Sequence, residues 1–190
     1  MGPTMRFRQL EEERHDLMPE SQQPKGGVDA ILCGLLSSDR VLDVGAGEGK
    51  WGRILDGKVA SVDALEVWTP NVETLRTLPY YGNVIQCDAR EFHDWGNYDA
   101  IILGDVLEHM PHEDAIRFCE RIGIPSVRSF LSIPISVCEQ DGELCGNPWE
   151  SHLYQWDHSE LYALGWRLLH VGSNDERTVV IGTYEGLFHV

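Results

Sequence analysis

The sequence predicts an α/β domain with a mainly parallel sheet and helices on both faces. Apolar runs of strand length alternate with helix-like segments from Arg40 onward, an order typical of strand–helix–strand units. The length of 190 residues suits roughly one domain with a core of its own. The link between the last two apolar runs is too short for a helical crossover, so these two strands should form an antiparallel hairpin.

Each element is predicted from a local pattern. Strands are predicted at 40–44, 59–67, 83–87, 100–103, 129–135, 167–171 and 178–183. Helices are predicted at 6–18, 28–36, 115–122 and 159–164. In the third helix the apolar residues recur at the spacing of one helix face. The last helix is followed by Gly165, which is well placed to end it.

The pattern divides the chain into an N-terminal arm with a helix at 1–38 and a main domain at 39–190. The stretch PESQQPKGG, with two prolines and two glycines, interrupts the arm. We expect residues 1–38 to form part of a lid over the ligand site.

Charge and composition restrict the partners. The chain has 15 basic and 31 acidic residues, for a net charge of −16, and 42% of its residues are hydrophobic. The hydrophobic content excludes a disordered acidic tail. The basic residues form no stripe, so direct binding of nucleic acid is disfavoured.

The sequence also predicts a cytoplasmic location. No apolar run approaches the roughly 18 residues of a membrane span, and the N-terminus lacks the apolar core of a signal peptide. The five cysteines are odd in number and have no CxxC spacing, as expected of reduced thiols. We therefore expect neither a membrane partner nor secretion.

The clearest motif is VLDVGAGEGKWG at 41–52, in which an apolar strand leads into glycines and then into a helix that carries Trp51. Glycines at such a turn let the backbone bend tightly and approach a ligand closely. As a bare pattern, Gly47, Gly49 and Gly52 also fit the dinucleotide fingerprint G-x-G-x-x-G.

Acidic residues stand at the ends of four successive predicted strands: Asp43, Glu66, Asp88 and Asp105. The carboxyl ends of parallel strands meet at one edge of the sheet, where open α/β sheets bind ligands. A carboxylate about 20 residues after the glycines can accept both hydroxyls of a ribose. Glu66 fits this role, whereas Asp63 lies inside the strand and is interpreted as structural.

Residues 40–185 resemble a class I S-adenosylmethionine (SAM)-dependent methyltransferase. The resemblance rests on four motifs in the family's order and spacing: VLDVGAGEGKWG, ALEVW, CDAREF and YDAIILGDVLEHM. It implies a Rossmann-like, seven-stranded, mostly parallel sheet whose last strand is antiparallel. It also implies SAM as the methyl donor and S-adenosylhomocysteine (SAH) as the product.

The resemblance assigns a cofactor role to matching residues. These are Asp43, Gly45, Gly47 and Gly49 around the methionine end and ribose, Glu66 on the ribose hydroxyls, Asp88 and the Ala89 backbone at the adenine, and Asp105 beside the methionine moiety. SAM carries positive charge at its sulfonium and ammonium groups, so a carboxylate-rich cleft suits it.

The methyl acceptor is expected on the side of two other segments. His109, after the fourth strand, is the first candidate for a general base, although it also fits a residue that orients the loop. The segment 146–156 carries a Pro-x-Glu-x-His stretch that similar methyltransferases share, so Trp149, Glu150 and His152 are candidate acceptor contacts, with His152 a second candidate base. Alternatively, this segment is an aromatic cluster that only fixes the loop.

The acceptor class is limited by what the sequence lacks. It has no Asn/Asp-Pro-Pro-aromatic motif, which the resemblance would require of a base-amino methyltransferase, and no Pro-Cys pair for attack on cytosine. The acceptor is therefore a small molecule, a glycan or a protein side chain, and the first two are favoured. No metal is expected, because Cys138, Cys145, His152 and His158 match no zinc-ligand spacing.

Two other functions remain open at this stage. An NAD-dependent oxidoreductase explains the glycines and Glu66 but gives no role to Asp88 or to the C-terminal hairpin. A catalytically silent cofactor-binding partner subunit explains the motifs without requiring a general base.

Overall fold

A computed structural model describes residues 27–123, 127–135, 146–173 and 178–184. The strands are β1 (Arg40–Val44), β2 (Ser61–Glu66), β3 (Val84–Gln86), β4 (Ala100–Gly104), β5 (Arg128–Pro134), β6 (Trp166–Ser173) and β7 (Thr178–Tyr184). The helices are α1 (Gly27–Leu32), α2 (Lys50–Leu55), α3 (Thr69–Leu75), α4 (His112–Gly123) and α5 (His158–Ala163). Single 3₁₀ turns lie at Trp95–Asn97 and Leu107–His109.

The seven strands form one sheet in the order β3-β2-β1-β4-β5-β7-β6. Neighbouring strands from β3 to β5 pair in parallel. Strand β7 pairs antiparallel with both β5 and β6, and it forms the predicted hairpin with β6. The fold class predicted from the sequence, a Rossmann-like seven-stranded sheet with its last strand antiparallel, is thus confirmed.

The strand order reverses between β1 and β4, which are neighbours at the centre of the sheet. From β1 the chain continues outward to β2 and β3, and from β4 it continues outward on the other side to β5. Val41 of β1 pairs with Val62 of β2 on one side and with Ala100 of β4 on the other. The central strands are buried on both faces, which explains why they are continuous apolar runs rather than alternating ones. A reversal of this kind opens a crevice at the carboxyl ends of the strands.

Helices cover both faces of the sheet. On one face α4 packs Phe118 and Cys119 into a core that also contains Trp95, Trp156 and Trp166. On the other face α1 and α2 pack against β1, β4 and β5; this second core includes Ile31, Trp51, Leu55 and Phe130.

Helix α1 ends at Leu32, earlier than the predicted 28–36. A β-carbon at Gly34 would lie 2.5 Å from the ring of Phe130, so the close passage of the chain over β5 requires glycine at this position. Arg128 of β5 also donates a 2.7 Å hydrogen bond to the carbonyl of Gly34. Ala30 and Ile31 of this helix are buried in the core, and none of residues 27–38 lines the cavity described below. The predicted helix at 6–18 and the rest of the arm lie outside the described residues.

Helix α5 has a complete capping box. The Asp157 carboxylate accepts a hydrogen bond from the amide of Glu160, and the Glu160 carboxylate accepts one from the amide of Asp157. The box fixes where the preceding loop ends. Within the ranges given above, no helix has the length and apolar character needed to cross a membrane.

Candidate functional site

A cavity of about 260 Å³ lies at the carboxyl ends of the parallel strands. Its wall comes from the loop after β1, the ends of β2 and β4, the turn after β3, and the loop before α5. The lining residues are 45–48, 50, 51, 65–67, 87–90, 104–106, 109, 110, 147, 149 and 150. The cavity thus occupies the crevice that the strand-order reversal predicts.

The loop after β1 is shaped by glycines in the left-handed region. Gly45, Gly47 and Gly49 have φ angles of 64°, 53° and 85°, values that L side chains adopt at a cost. A β-carbon at Gly47 would meet only the carbonyl of Gly45, at 3.9 Å. Gly47 lines the cavity, so a side chain added there would have room on the protein side and would project towards bound ligand.

Glu66, at the end of β2, lines the cavity although its side chain is buried. Its Oε2 accepts a 2.8 Å hydrogen bond from the amide of Gly47. Its Oε1 accepts 2.9 Å bonds from the amides of Val67 and Trp68. A carboxylate has about four lone-pair positions, so three are filled by the backbone and one on Oε2 stays available to a ligand.

Asp63, the alternative acid on the same strand, has a different environment. Its carboxylate accepts hydrogen bonds from the amide and side chain of Asn83 and from the hydroxyl of Tyr98. It does not line the cavity. Its position agrees with the structural role expected from the sequence.

Two of the predicted cofactor residues lie behind the cavity wall rather than on it. Asp43 is 1% exposed, and its Oδ2 accepts a 2.6 Å hydrogen bond from the hydroxyl of Tyr81. Gly49 faces Leu75, Leu78 and the ring of Tyr81, where an added β-carbon would clash. Neither residue lines the cavity, and their predicted place around the methionine end and ribose stays a prediction.

The Asp43 carboxylate is strongly perturbed. Burial raises its pKa from 3.8 to about 7, although hydrogen bonds from Tyr81 and from the Gly52 backbone oppose the shift. Tyr81 also accepts a 3.1 Å hydrogen bond from the amide of Gly52. The tyrosine thus links the acid under β1 to the first turn of α2.

Asp88, after β3, lies in the lining with Ala89. The Arg90 guanidinium binds both oxygens of this carboxylate, with a shortest distance of 2.6 Å, and also pairs with Asp114 at 3.0 Å. Partial burial acts to raise the pKa of Asp88, but the hydrogen bonds from Arg90 outweigh it and hold the pKa below its usual range. Arg90 is not among the predicted site residues, and its only signal in the sequence is its position two residues after Asp88.

Asp105, after β4, adopts a φ of 58°, unusual for a residue other than glycine. Its amide donates a 2.7 Å hydrogen bond to the carbonyl of Ser132 on β5, which holds this conformation. Its Oδ1 is buried and has no hydrogen-bond partner among the described residues. A strained backbone that holds an unpaired carboxylate oxygen in a cavity wall is typical of ligand sites.

The wall opposite the glycine loop comes from the loop before α5. Asn147 organises this turn: its side chain accepts a 3.0 Å hydrogen bond from the amide of Trp149 and donates a 3.1 Å bond to Glu150. The Trp149 ring is 41% exposed and lies 5.7 Å from the guanidinium of Arg90. This wall therefore presents an aromatic surface to whatever enters the cavity.

His109 lines the cavity, whereas His152 does not. The two rings are in contact, with centroids 5.0 Å apart. The Nδ1 of His109 lies 3.1 Å from the carbonyl of Ser151. Burial lowers the pKa of the His109 imidazole, which favours its neutral form. The structure thus brings together the two predicted histidines, although only one of them reaches the cavity.

The fold and the cavity define the class of protein: an open Rossmann-like α/β domain with a carboxylate-lined cleft at its strand ends. Residues 42–130 match the family model for a methyltransferase domain. This segment is therefore similar to the methyltransferase domains that the model describes. Among curated proteins, none matches this sequence significantly.

Solved structures with the same fold include three whose descriptions name SAH. Magnesium protoporphyrin IX methyltransferase from Synechocystis PCC 6803, with bound SAH, is 20% identical with a TM-score of 0.59, over 83% of this chain and 82% of that one. The N-terminal domain of EvdMO1, in the presence of SAH and D-fucose, is 16% identical with a TM-score of 0.62, over 98% of each chain.

The third is the 1,6-didemethyltoxoflavin-N1-methyltransferase of Burkholderia thailandensis, with bound 1,6-didemethyltoxoflavin and SAH. It is 17% identical with a TM-score of 0.61, over 97% of this chain and 91% of that one. At these identities the likeness shows the fold.

Proposed function

We propose that this protein transfers a methyl group from SAM to a small-molecule or glycan acceptor and releases SAH. The observation that carries the proposal is the convergence of Gly47, Glu66, Asp88 and Asp105 on one cavity. These residues stand at the ends of four different strands or soon after them, and the sequence predicts a ligand-binding role for each. If these four residues served folding alone, there would be no reason for all of them to line the same cavity.

The residues present fit a sulfonium nucleoside. The free lone pair of Glu66 suits a ribose hydroxyl, and the unpaired Oδ1 of Asp105 suits the positively charged methionine end. Gly47 leaves room for close approach of the ligand. We assign Asp88 and the Ala89 backbone to the adenine, with Arg90 holding the Asp88 carboxylate in place.

When bound, SAM supplies an electrophilic methyl group, and its sulfur loses positive charge as the methyl leaves. Strong stabilisation of that charge before reaction would slow the step. The protein therefore contributes mainly by positioning, which is worth roughly 7–11 kcal/mol for well-oriented groups. The fixed loops around Gly47 and Asp105 are suited to this task.

His109 is our candidate for the general base. Burial lowers its pKa, so the ring is neutral near pH 7 and has a lone pair to accept a proton. Its contact with His152 places a second imidazole behind it. A base in this position contributes roughly 10²–10⁴-fold, and only for an acceptor that keeps its proton on binding.

The acceptor side favours a flat or cyclic molecule. The exposed ring of Trp149 offers a stacking surface, and Glu150 beside it offers hydrogen-bond acceptors. A small acceptor agrees with the solved structures of the same fold, whose descriptions name magnesium protoporphyrin IX, 1,6-didemethyltoxoflavin and D-fucose. The net charge of −16 disfavours a nucleic-acid acceptor.

The test is methyl transfer from SAM with an isotope-labelled methyl group to a panel of hydroxylated aromatics, heterocycles and sugars, with DNA and RNA in parallel. We expect label in at least one small acceptor and none in nucleic acid. Tight SAH binding without transfer to any acceptor would instead favour a catalytically silent partner subunit.

A further inference from the structure

We propose that Glu108, His109 and His152 form a binding site for one divalent transition-metal ion on the acceptor side of the cavity. One ligand atom from each residue lies within 4.8 Å of the other two. No metal site is predicted from the sequence, in which His152 is far along the chain from Glu108 and His109. Only the fold brings the three together.

The two segments that supply these residues are joined by backbone hydrogen bonds. The Glu108 carbonyl accepts hydrogen bonds from the amides of Leu153 and Tyr154, at 2.8 and 3.2 Å. These bonds hold the loop that carries His152 against the turn that carries the other two ligands. A site whose ligands are fixed by surrounding hydrogen bonds is preorganised for binding.

The second contact of His109 also resembles that of a metal ligand. Its Nδ1 lies 3.1 Å from the Ser151 carbonyl, which has no proton to donate, so the imidazole must be the donor. The Nε2 atom is then left with the only lone pair of the ring, which would coordinate the ion and would not act as a general base while the ion is bound. Histidines that bind metals usually donate their other ring N–H to a carbonyl or carboxylate in this way.

The ligand set determines the class of ion. Two imidazoles and one carboxylate suit zinc, manganese, iron or cobalt, whereas magnesium and calcium prefer all-oxygen sites. The Glu108 side chain is 2% exposed, so this ligand is shielded from bulk solvent. Three protein ligands leave at least one coordination position open.

The position of the site suggests its use. His109 is shared between the metal cluster and the cavity wall, so an open coordination position would face the acceptor rather than solvent. An oxygen or nitrogen of the acceptor would bind there and be oriented towards the methyl group. This role rests on the proposed function, whereas the metal site itself does not.

The experiment is calorimetric titration of Zn²⁺ into the untagged, metal-free full chain, with no cofactor or acceptor present. We expect one ion per chain, with affinity reduced more than about tenfold in His152→Ala, because even outer-shell changes cost 10–100-fold. Glu108→Gln should weaken binding similarly. His93→Ala is the matched control, since His93 is exposed and outside both the cluster and the cavity wall.

Two further measurements identify the metal ligands and separate the metal site from the SAH site. Co²⁺ loading should give no thiolate charge-transfer absorption, because the cluster contains no cysteine. SAH binding should persist in His152→Ala, which separates the metal site from the proposed function. Absent Zn²⁺ binding, binding unchanged in both variants, or a thiolate signal from Co²⁺ would overturn the metal site even if SAH binds normally.

Discussion

The Glu66 carboxylate accepts a hydrogen bond from the amide of Gly47, with 2.8 Å between oxygen and nitrogen. This bond joins the end of β2 to the glycine loop after β1, two segments that both line the cavity. The acid therefore has a double role: it fixes the loop conformation and keeps one acceptor position for a ligand. A change at either residue is expected to affect binding through the other.

Gly47→Ala should weaken SAH binding at least tenfold, equivalent to about 1.4 kcal/mol. The added methyl group would project into the cavity, where no protein atom blocks it. Gly57→Ala is the control, because Gly57 also has a positive φ, of 69°, and an unobstructed β-carbon but lies outside the cavity wall. Calorimetry on both variants separates ligand obstruction from backbone strain, and equal SAH affinities would contradict the assignment.

Glu66→Gln should reduce SAH affinity by about 1.5–3 kcal/mol, the range for hydrogen bonds to charged groups. The amide nitrogen of glutamine cannot accept a bond from a ribose hydroxyl or from Gly47. Asp63→Asn makes the same chemical change on the same strand, and it should leave SAH affinity unchanged. If Asp63→Asn weakens SAH binding and Glu66→Gln does not, the wrong acid has been assigned.

Asp43 should make the protein less stable as pH rises from about 4 to about 7. The folded protein keeps the Asp43 proton up to a pKa of about 7, whereas the unfolded chain loses it near 3.8. The folded state therefore binds more protons in this window, so the free energy of unfolding falls as pH increases. Each unit of pKa shift corresponds to about 1.4 kcal/mol, so a change of a few kcal/mol is expected.

The measurement is urea unfolding of the wild type and Asp43→Asn across this pH range. Asparagine stays neutral, so the stability of the wild type relative to this variant should decline with rising pH. The comparison cancels the opposite contribution of carboxylates with lowered pKa, such as Asp88. A constant difference between the two proteins would show that Asp43 is already ionised at pH 4.

Trp149→Ala should weaken binding of the methyl acceptor about tenfold, because the cavity loses an aromatic wall. Such a ring contributes roughly 0.5–1.5 kcal/mol beyond its buried area. Leu153→Ala removes another exposed apolar side chain of the same loop, at 55% exposure, but outside the cavity wall. The affinity for the acceptor should be unchanged in Leu153→Ala and largely restored in Trp149→Phe. A similar loss in both alanine variants would indicate that the loop, rather than the ring, is needed.

The sheet was predictable because strand and turn signals are local. Continuous apolar runs marked the central strands, and the short final link specified the antiparallel pair. The place of Glu66 in the cavity wall was also predictable from the sequence, since its position at a strand end distinguishes it from Asp63. These features depend on neighbours along the chain, which a sequence displays directly.

The contacts between distant segments were not predictable. Nothing near Asp43 indicates that Tyr81 will bury it, and this contact explains why the acid lies behind the cavity wall. The contact between His109 and His152 likewise depends on the path of a loop. Such pairings are fixed by packing after the sheet forms, so spacing along the chain carries no signal for them.

Calorimetric titration of the full chain with SAH and, separately, with NAD tests whether the strand ends hold a sulfonium nucleoside. We expect one SAH per chain, with affinity lowered in Gly47→Ala and kept in Gly57→Ala, and no comparable binding of NAD. Tighter binding of NAD than of SAH, or no SAH binding at all, would contradict this expectation.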